Sequence, residues 1–521
     1  MPKTRSEDFS SRALTKNIIF SVITFMLNMF ISFYITPTIT SRFGEETYGY
    51  LKLSNDLTSY AALFSVALNS MASRFIMLER SRGNHAKAQE YFSSVGVANT
   101  ILAAIFVIPA LLCVQYLDRL FEISPAMVFE VKLTYALTFT NFLTQLFFSI
   151  FSNCYYITNT LYLQSLRTSQ ASILNAVTVL SLFFFIGPKL HYVVYGTLAA
   201  TLFTVAANVF YTRRLTPDLR FHFRDFRFRS VWTILSSGIW NSITQLSNLL
   251  TTQLDLLITN IFIGSETMGV LAVAKTVPNV IVNFNATIAN VFCPNLMRLY
   301  AEGDGEGLKK AAKSAMRFMC LFVTIPNAIL LVMGTEFFRL WVPEQPAEVC
   351  AAMAVLTVVN SCITGPLHPL YQVFTITNKV RENSLVMICY GFVSLAVIYF
   401  LLKTTSLGVY AILVTNLVGS LLVASFYHLP YSAKYIGLSR WAFFPEEGKS
   451  LLSFALVSGI ALLVRQVIDP GASWLAWFGA AIATAILGFV CNLFLILAKE
   501  DRRTLREKIA GKLGALRGKE R

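Results

Sequence analysis

The sequence predicts an all-α polytopic membrane protein with about 14 transmembrane helices. They form two parallel six-helix lobes related by a pseudo-two-fold axis, followed by a C-terminal helix pair. Three observations predict this: apolar runs long enough to cross a bilayer, basic residues that alternate with those runs, and an octet that recurs at equivalent places. Of 521 residues, 55% are hydrophobic and 14% charged, about half the charge of an ordinary soluble domain. A bilayer crossing takes about 20 apolar residues as helix. Such runs occur at 14–36, 48–74, 91–112, 133–156, 169–186 and 193–211, and then at 231–263, 269–291, 318–334, 349–374, 384–402 and 407–427. A last pair lies at 451–467 and 474–497.

The charges orient these runs. Basic residues concentrate on cytoplasmic loops. Arg74, Arg80, Arg82 and Lys87 follow the second run, and six arginines from Arg213 to Arg229 follow the sixth. Lys309, Lys310, Lys313 and Arg317 follow the eighth, Lys379 and Arg381 the tenth, and Lys499 to Lys508 the last. The opposite loops are short and acidic, with Glu45, Glu46, Asp118, Glu122, Glu266, Glu336, Glu344 and Glu348. Only an even number of crossings, with both termini cytoplasmic, keeps this alternation. The net charge of +15 therefore encodes topology, and no basic patch for nucleic acid remains. The polar N-terminus leads into a run too long for a signal-peptide core and is expected to be retained.

The expected divisions are a cytoplasmic tail (1–13), an N-lobe (14–212), a basic cytoplasmic linker (213–230), a C-lobe (231–428), helices 13 and 14 (429–498) and a basic cytoplasmic tail (499–521). The octet GEETYGYL begins at Gly44 and GSETMGVL at Gly264, 220 residues later. Each falls between the first two crossings of its lobe, and Phe64/Phe284 and Met77/Met297 keep the same offset. Equivalent places in two copies make this a parallel repeat, an arrangement that leaves a substrate cavity between lobes. Within the octet, glycine supplies backbone freedom between helices, and the Glu-Thr pair stands where it can cap the incoming helix.

Ionisable groups at membrane depth mark wet cavities or ion pairs, because each costs roughly 2.5–3.5 kcal/mol to insert. Here they are Lys52, Asp56, Asp255, Lys275 and His368. Lys52 and Asp56 are four residues apart on one helix face, and a hairpin at Gly264 brings Asp255 and Lys275 to similar depth. They read either as structural ion pairs or as a cationic lining, led by Lys52 and Lys275, that attracts an anion. Arg74 extends that path or snorkels to the interface, the second being favoured. Gln245, Asn248, Thr252 and Asp255 share a helical face, so the seventh run is the expected cavity-lining helix, its amides suited to sugar hydroxyls. His368 titrates near physiological pH, but between two prolines it reads first as a satisfied bundle residue. The eight cysteines show no ligand spacing. Neither a metal nor a cofactor is expected, and no motif for phosphate binding, zinc proteolysis or serine hydrolysis points to an enzyme.

With FGEETYGYLKLSNDL after the first run and FIGSETMGVLAVAKTV after the seventh, the chain resembles the polysaccharide-transport branch of the multidrug/oligosaccharidyl-lipid/polysaccharide exporter superfamily, which includes O-antigen and exopolysaccharide repeat-unit flippases. The resemblance implies movement of an undecaprenyl-diphosphate-linked oligosaccharide across a bacterial plasma membrane by alternating access. It also implies a cationic cavity, which suits Lys52 and Lys275. The implied partners are that lipid-linked substrate, membrane lipid, a proton or sodium ion and glycan polymerase or assembly proteins. The superfamily's drug antiporters carry an acid in their first helix, and run 14–36 has none. The alternatives are an ion-coupled multidrug exporter, for which Asp56 and Asp255 would serve as coupling residues, and a non-transporting scaffold for glycan assembly.

Overall fold

The computed structural model describes residues 5–121, 123–125, 127–158, 160–290, 292–377 and 379–497, with side chains from 26 onward apart from a few positions. The tail expected at 499–521 lies outside them. All regular structure among the described residues is helical, and the chain forms two compact units. Unit 1 runs to Val273 and includes Ser384–Phe392; unit 2 holds Ala274–Asn383 and the chain from Val393.

Unit 1 opens with α1 (Arg5–Ser81), which holds two crossing lengths folded at Gly44. Gly44 has φ 80° and ψ 165°, a region essentially closed to residues with a side chain. Gly264, opening the second octet, also has positive φ, 136°. The first glycine of each copy is thus conformational, and the second is steric. A Cβ on Gly49 would lie 3.0 Å from Gly269 Cα, and one on Gly269 would lie 2.4 Å from the Glu45 carbonyl carbon. The two octets pack on each other through the same position of the repeat. The expected cap is not made by Thr47, whose hydroxyl donates to the Phe43 carbonyl at 2.8 Å.

The rest of unit 1 comprises α2 (His85–Gln115), α3 (Leu117–Leu120), α4 (Val128–Phe148), α5 (Asn153–Ile157), α6 (Leu161–Phe185), α7 (Leu190–Leu215), α8 (Phe228–Asn248), α9 (Asp255–Phe262) and the start of α10 (Ser265–Asn290). A π turn at Leu249–Gln253 separates α8 from α9. Inside the bundle, Asn69 and Asn99 exchange amide hydrogen bonds at 2.9 and 3.1 Å, and Asn99 also donates to Ser149 at 2.8 Å. Such amide bridges hold helices together where lipid supplies no hydrophobic drive.

The basic stretch after α7 docks on α2. Asp218 accepts from Arg80 Nη2 at 2.9 Å and Nε at 3.0 Å, with His85 Nδ1 at 3.3 Å. The backbone N–H of Arg220 donates to Gln89 at 2.8 Å, and that of Arg227 to Ser94 at 3.0 Å. Burial raises the Asp218 carboxyl, but its own backbone amide, His85 and Arg80 outweigh that and hold it below the usual carboxylate range. A depressed carboxylate stabilises the fold above its ordinary value, near pH 4, and that contribution fades as pH falls through the lower folded value. Asp218→Asn is therefore expected to cost under about 1 kcal/mol at neutral pH. It should also flatten the acid side of a thermal-stability profile, which a melt series below about pH 4 would check.

Unit 2 holds the rest of α10, α11 (Cys293–Ala301), α12 (Gly305–Trp341), α13 (Ala347–Thr364), α14 (His368–Ile376), most of α15 (Val380–Thr404), α16 (Val409–Val423), α17 (Leu429–Tyr435), α18 (Phe444–Val467) and α19 (Trp474–Leu495). The last two helices are fastened to α12 by polar side chains. Fully buried Thr324, Ser453 and Asn492 form one network, with Ser453 donating to Asn492 at 2.5 Å and Asn492 to Thr324 at 3.0 Å. Arg465 pairs with Glu336 at one end, and Arg317 grips Glu446 through two hydrogen bonds of 2.9 and 3.0 Å at the other.

Eleven helices among the described residues are long and apolar enough to cross a membrane. Dividing Met29–Ser81 at Gly44 adds one crossing; α4, with Glu130 and Lys132, and the interrupted α8–α9 pair are too polar or too broken to count by composition. With them the helices match the 14 runs read from the sequence. The protein is a multi-pass membrane protein.

Candidate functional site

In unit 1 the second arm of α1 lies antiparallel to α8 and α9. Gly238 sits where the backbones come closest: a Cβ there would lie 1.8 Å from the Ala67 carbonyl oxygen. Asn241 Nδ2 donates to Ser70 at 3.1 Å, and Ser242 donates to the Leu63 carbonyl at 3.2 Å. Tyr60 closes the seam by donating to the Gln253 carbonyl at 2.7 Å. That carbonyl belongs to the π turn, whose wider winding leaves backbone oxygens without their ordinary helical donors. The tyrosine supplies one.

Tyr60 is also where two of the expected residues meet. Both Asp56 of α1 and Asp255, the first residue of α9, act on its hydroxyl electrostatically. Asp255 is buried, at 4% exposure, and Asp56 half-buried. Toward the α1 turn, Tyr50 reaches Ser265 and Asn260. The seam thus carries polar contacts along its whole length.

Gln245, Asn248 and Thr252 are exposed, whereas Asp255, the fourth residue the spacing put on that face, is buried beyond the π turn that breaks the spacing. Asn248 Nδ2 donates to Gln245 Oε1 at 3.1 Å, so the two amides form a single unit with donors and acceptors left over. On α1, Asn55 and Ser59 are exposed as well. Lys52 is half-buried, its ammonium 5.2 Å from the centre of the Tyr48 ring. That ring face favours a cation and holds it eight residues past the Gly44 fold of α1. Arg74 is exposed, and the helical rise sets it roughly 33 Å along α1 from Lys52; the two do not converge.

The other two expected residues belong to unit 2. Lys275 is half-buried on α10. In the repeat register it corresponds to Asn55 rather than Lys52, so the two lysines stand one helical turn apart in their copies. His368 begins α14; its Nδ1 lies 3.2 Å from the Gly365 carbonyl and its ring packs edge-on against Tyr371. These are the contacts of a histidine satisfied inside a bundle. No group of three or more metal-ligating side chains occurs among the described residues.

Sequence reasoning passed over Tyr60 and Gly238. A tyrosine in a membrane run reads as an interfacial anchor, and a glycine beside serines reads as a weak spot in a helix. The nearest signal for either is the serine- and amide-rich composition of α8, which asks for a polar partner.

A family model described as polysaccharide biosynthesis protein matches residues 14–300, more than half the chain. An uncharacterized membrane protein of Bacillus subtilis, EpsK, is 24% identical over 502 residues, covering 96% of this chain and 99% of its own. Among solved structures, the lipid II flippase MurJ in an inward closed conformation superposes with a TM-score of 0.63 at 14% identity, over 91% of this chain and 98% of that one. A MOP-superfamily transporter from Pyrococcus furiosus gives 0.61 at 16% identity, over 81% and 95%. An inward-facing multidrug resistance MATE transporter gives 0.59 at 14%, over 79% and 94%. At these identities the structural likeness establishes the fold.

Proposed function

The chain belongs to the polysaccharide biosynthesis protein family, and from that premise we propose that it carries undecaprenyl-diphosphate-linked oligosaccharide units across a bacterial plasma membrane. The family match and a fold shared with the lipid II flippase and MATE transporters support a flippase-like membrane transporter. The finer reading rests on one observation: the α1–α8 seam presents exposed amides and hydroxyls, and the same arm of α1 carries a half-buried lysine nearer its turn. Amides match the hydroxyls of a sugar in both donor and acceptor sense. An ammonium group in a poorly solvated setting attracts a diphosphate. A drug-like cation would use neither.

In this reading both termini face the cytoplasm, Lys52 and Lys275 receive the diphosphate, and Gln245 and Asn248 receive the glycan. The lobes 14–212 and 231–428 rock about the site, and residues 213–230 tether them on the cytoplasmic side. Binding energy reaches translocation only through contacts that differ between two states.

Deleting the gene is expected to abolish surface polysaccharide, leave its lipid-linked precursor on the cytoplasmic leaflet and leave drug sensitivity unchanged. Precursor location can be read by labelling with a membrane-impermeant lectin or oxidant. Full surface polymer in the deletion strain would end the reading. Raised drug sensitivity with an intact envelope would instead favour the exporter alternative, for which the buried Asp255 beside Asp56 is the motivating feature.

A further inference from the structure

Two adjacent acids at the start of α18 meet opposite fates. Glu446, 4% exposed, is held by both arms of Arg317 and approached by Lys449 at 3.4 Å. Glu447, 7% exposed, has no hydrogen-bond partner for either carboxyl oxygen. The cations on that side are therefore spent on its neighbour. Cys320 of α12, Cys362 of α13 and Tyr371 of α14 lie within electrostatic reach of the Glu447 carboxyl. Tyr371 in turn packs edge-on against His428, rings 4.6 Å apart, and His428 is 6% exposed with both ring nitrogens unpartnered. Around them lies an apolar cluster that includes Met316, Leu367, Leu370, Leu429 and Phe443.

We propose that Glu447 is a proton-binding residue of unit 2, and that it couples proton movement to transport. An unpaired carboxylate in such surroundings is far costlier than the neutral acid, and the neighbours decide the ligand. Two thiols, a phenol and the single Ser450 hydroxyl beside Cys320 offer a sodium ion few of the hard oxygens it needs, whereas a proton needs only the carboxyl oxygen. The remaining charged or titratable groups on the packed elements are Glu306, Lys309, Lys310, Lys313 and Arg317 at the same end of α12, His368 on α14, Tyr431, Lys434 and Tyr435 on α17, Lys449 on α18 and Cys491 on α19, with Glu336, Arg339, Glu348, Cys350 and Arg465 at the far ends of their helices. Of these, Arg317 and Lys449 are turned to Glu446. The coupling half of the proposal rests on the transport reading above; the proton-binding half does not.

The test uses the full-length protein in detergent, with apparent unfolding followed from about pH 5, just above the ordinary glutamate value, to about pH 10. A group protonated in the fold stabilises it at low pH and withdraws that support as pH rises. The wild-type folding constant is expected to fall relative to Glu447→Gln by up to tenfold per pH unit, while Glu446→Gln loses stability at every pH. Parallel curves for wild type and Glu447→Gln would overturn the proton site. So would stabilisation of the wild type alone when sodium replaces choline, because that is a metal-ion site. Should Glu447→Gln fail to accumulate, the wild-type infrared spectrum decides: a protonated-carboxyl band at neutral pH that vanishes on alkalinisation is required. In cells, Glu447→Gln is expected to cut surface polysaccharide at least tenfold at normal protein level, with partial recovery in Glu447→Asp. Full polysaccharide would overturn coupling. Failure of the transport reading itself would show as polymer surviving gene deletion, which leaves the pH curves untouched.

Discussion

Cells whose sole copy carries Lys52→Ala together with Lys275→Ala are expected to lose surface polysaccharide while the protein still reaches the membrane. A charged hydrogen bond to an anion contributes roughly 1.5–3 kcal/mol, and tenfold in affinity corresponds to about 1.4 kcal/mol. Removing both ammonium groups should therefore weaken the hold on a diphosphate about a hundredfold or more. Neither lysine belongs to the apolar clusters, and both are half-buried, so truncation removes charge without opening a core. Lys→Arg at each position keeps the charge and should retain part of the output, as a bulky fork replaces a point charge. Polymer at wild-type level in the double alanine variant, quantified against membrane protein by immunoblot, would remove the lysines from the site.

Gly238→Ala is expected to be the most damaging conservative substitution in unit 1. Its Cβ would sit 1.8 Å from the oxygen, 2.7 Å from the carbon and 3.0 Å from the Cα of Ala67. All three are backbone atoms, so no side chain can swing away; the helices must separate. Separation would stretch the adjoining Ser70–Asn241 and Leu63–Ser242 hydrogen bonds. Overpacking costs about 1–3 kcal/mol and occasionally more, and a backbone clash belongs at the top of that range. Gly459→Ala in α18 is the matched control: a Cβ there meets nothing within 4 Å, and the helix should gain roughly 0.5–1 kcal/mol. Thermal unfolding of the two variants in detergent should move in opposite directions. Equal melting points would mean the α1–α8 crossing is looser than the structure has it.

The helices were legible because crossing a bilayer requires long apolar runs, and lipid offers the backbone no alternative partner. The two octets were legible as a repeat, yet the sequence could not reveal that they touch each other. Contact between distant segments leaves no periodic trace, and Gly49 and Gly269 look like any loop glycines. The shared face of Gln245 and Asn248 followed from helical spacing alone. The convergence of Asp56 and Asp255 on Tyr60 did not, since it depends on the antiparallel register of α1 against α9. Glu446 and Glu447 were hidden for another reason: apolar counting starts the thirteenth run at 451, which leaves both acids in a presumed loop. The helix in fact begins at Phe444 and carries them inside. Hydropathy marks where lipid begins, and protein can bury polar residues beyond that line.

Gly49 and Gly269 are the same residue of the repeat, each lying against the other's copy. A surface that meets itself is the hallmark of an isologous dimer. Here both sides of that surface belong to one chain, so each glycine can be changed alone, and one methyl group on either side is enough to press on the backbone of the other copy.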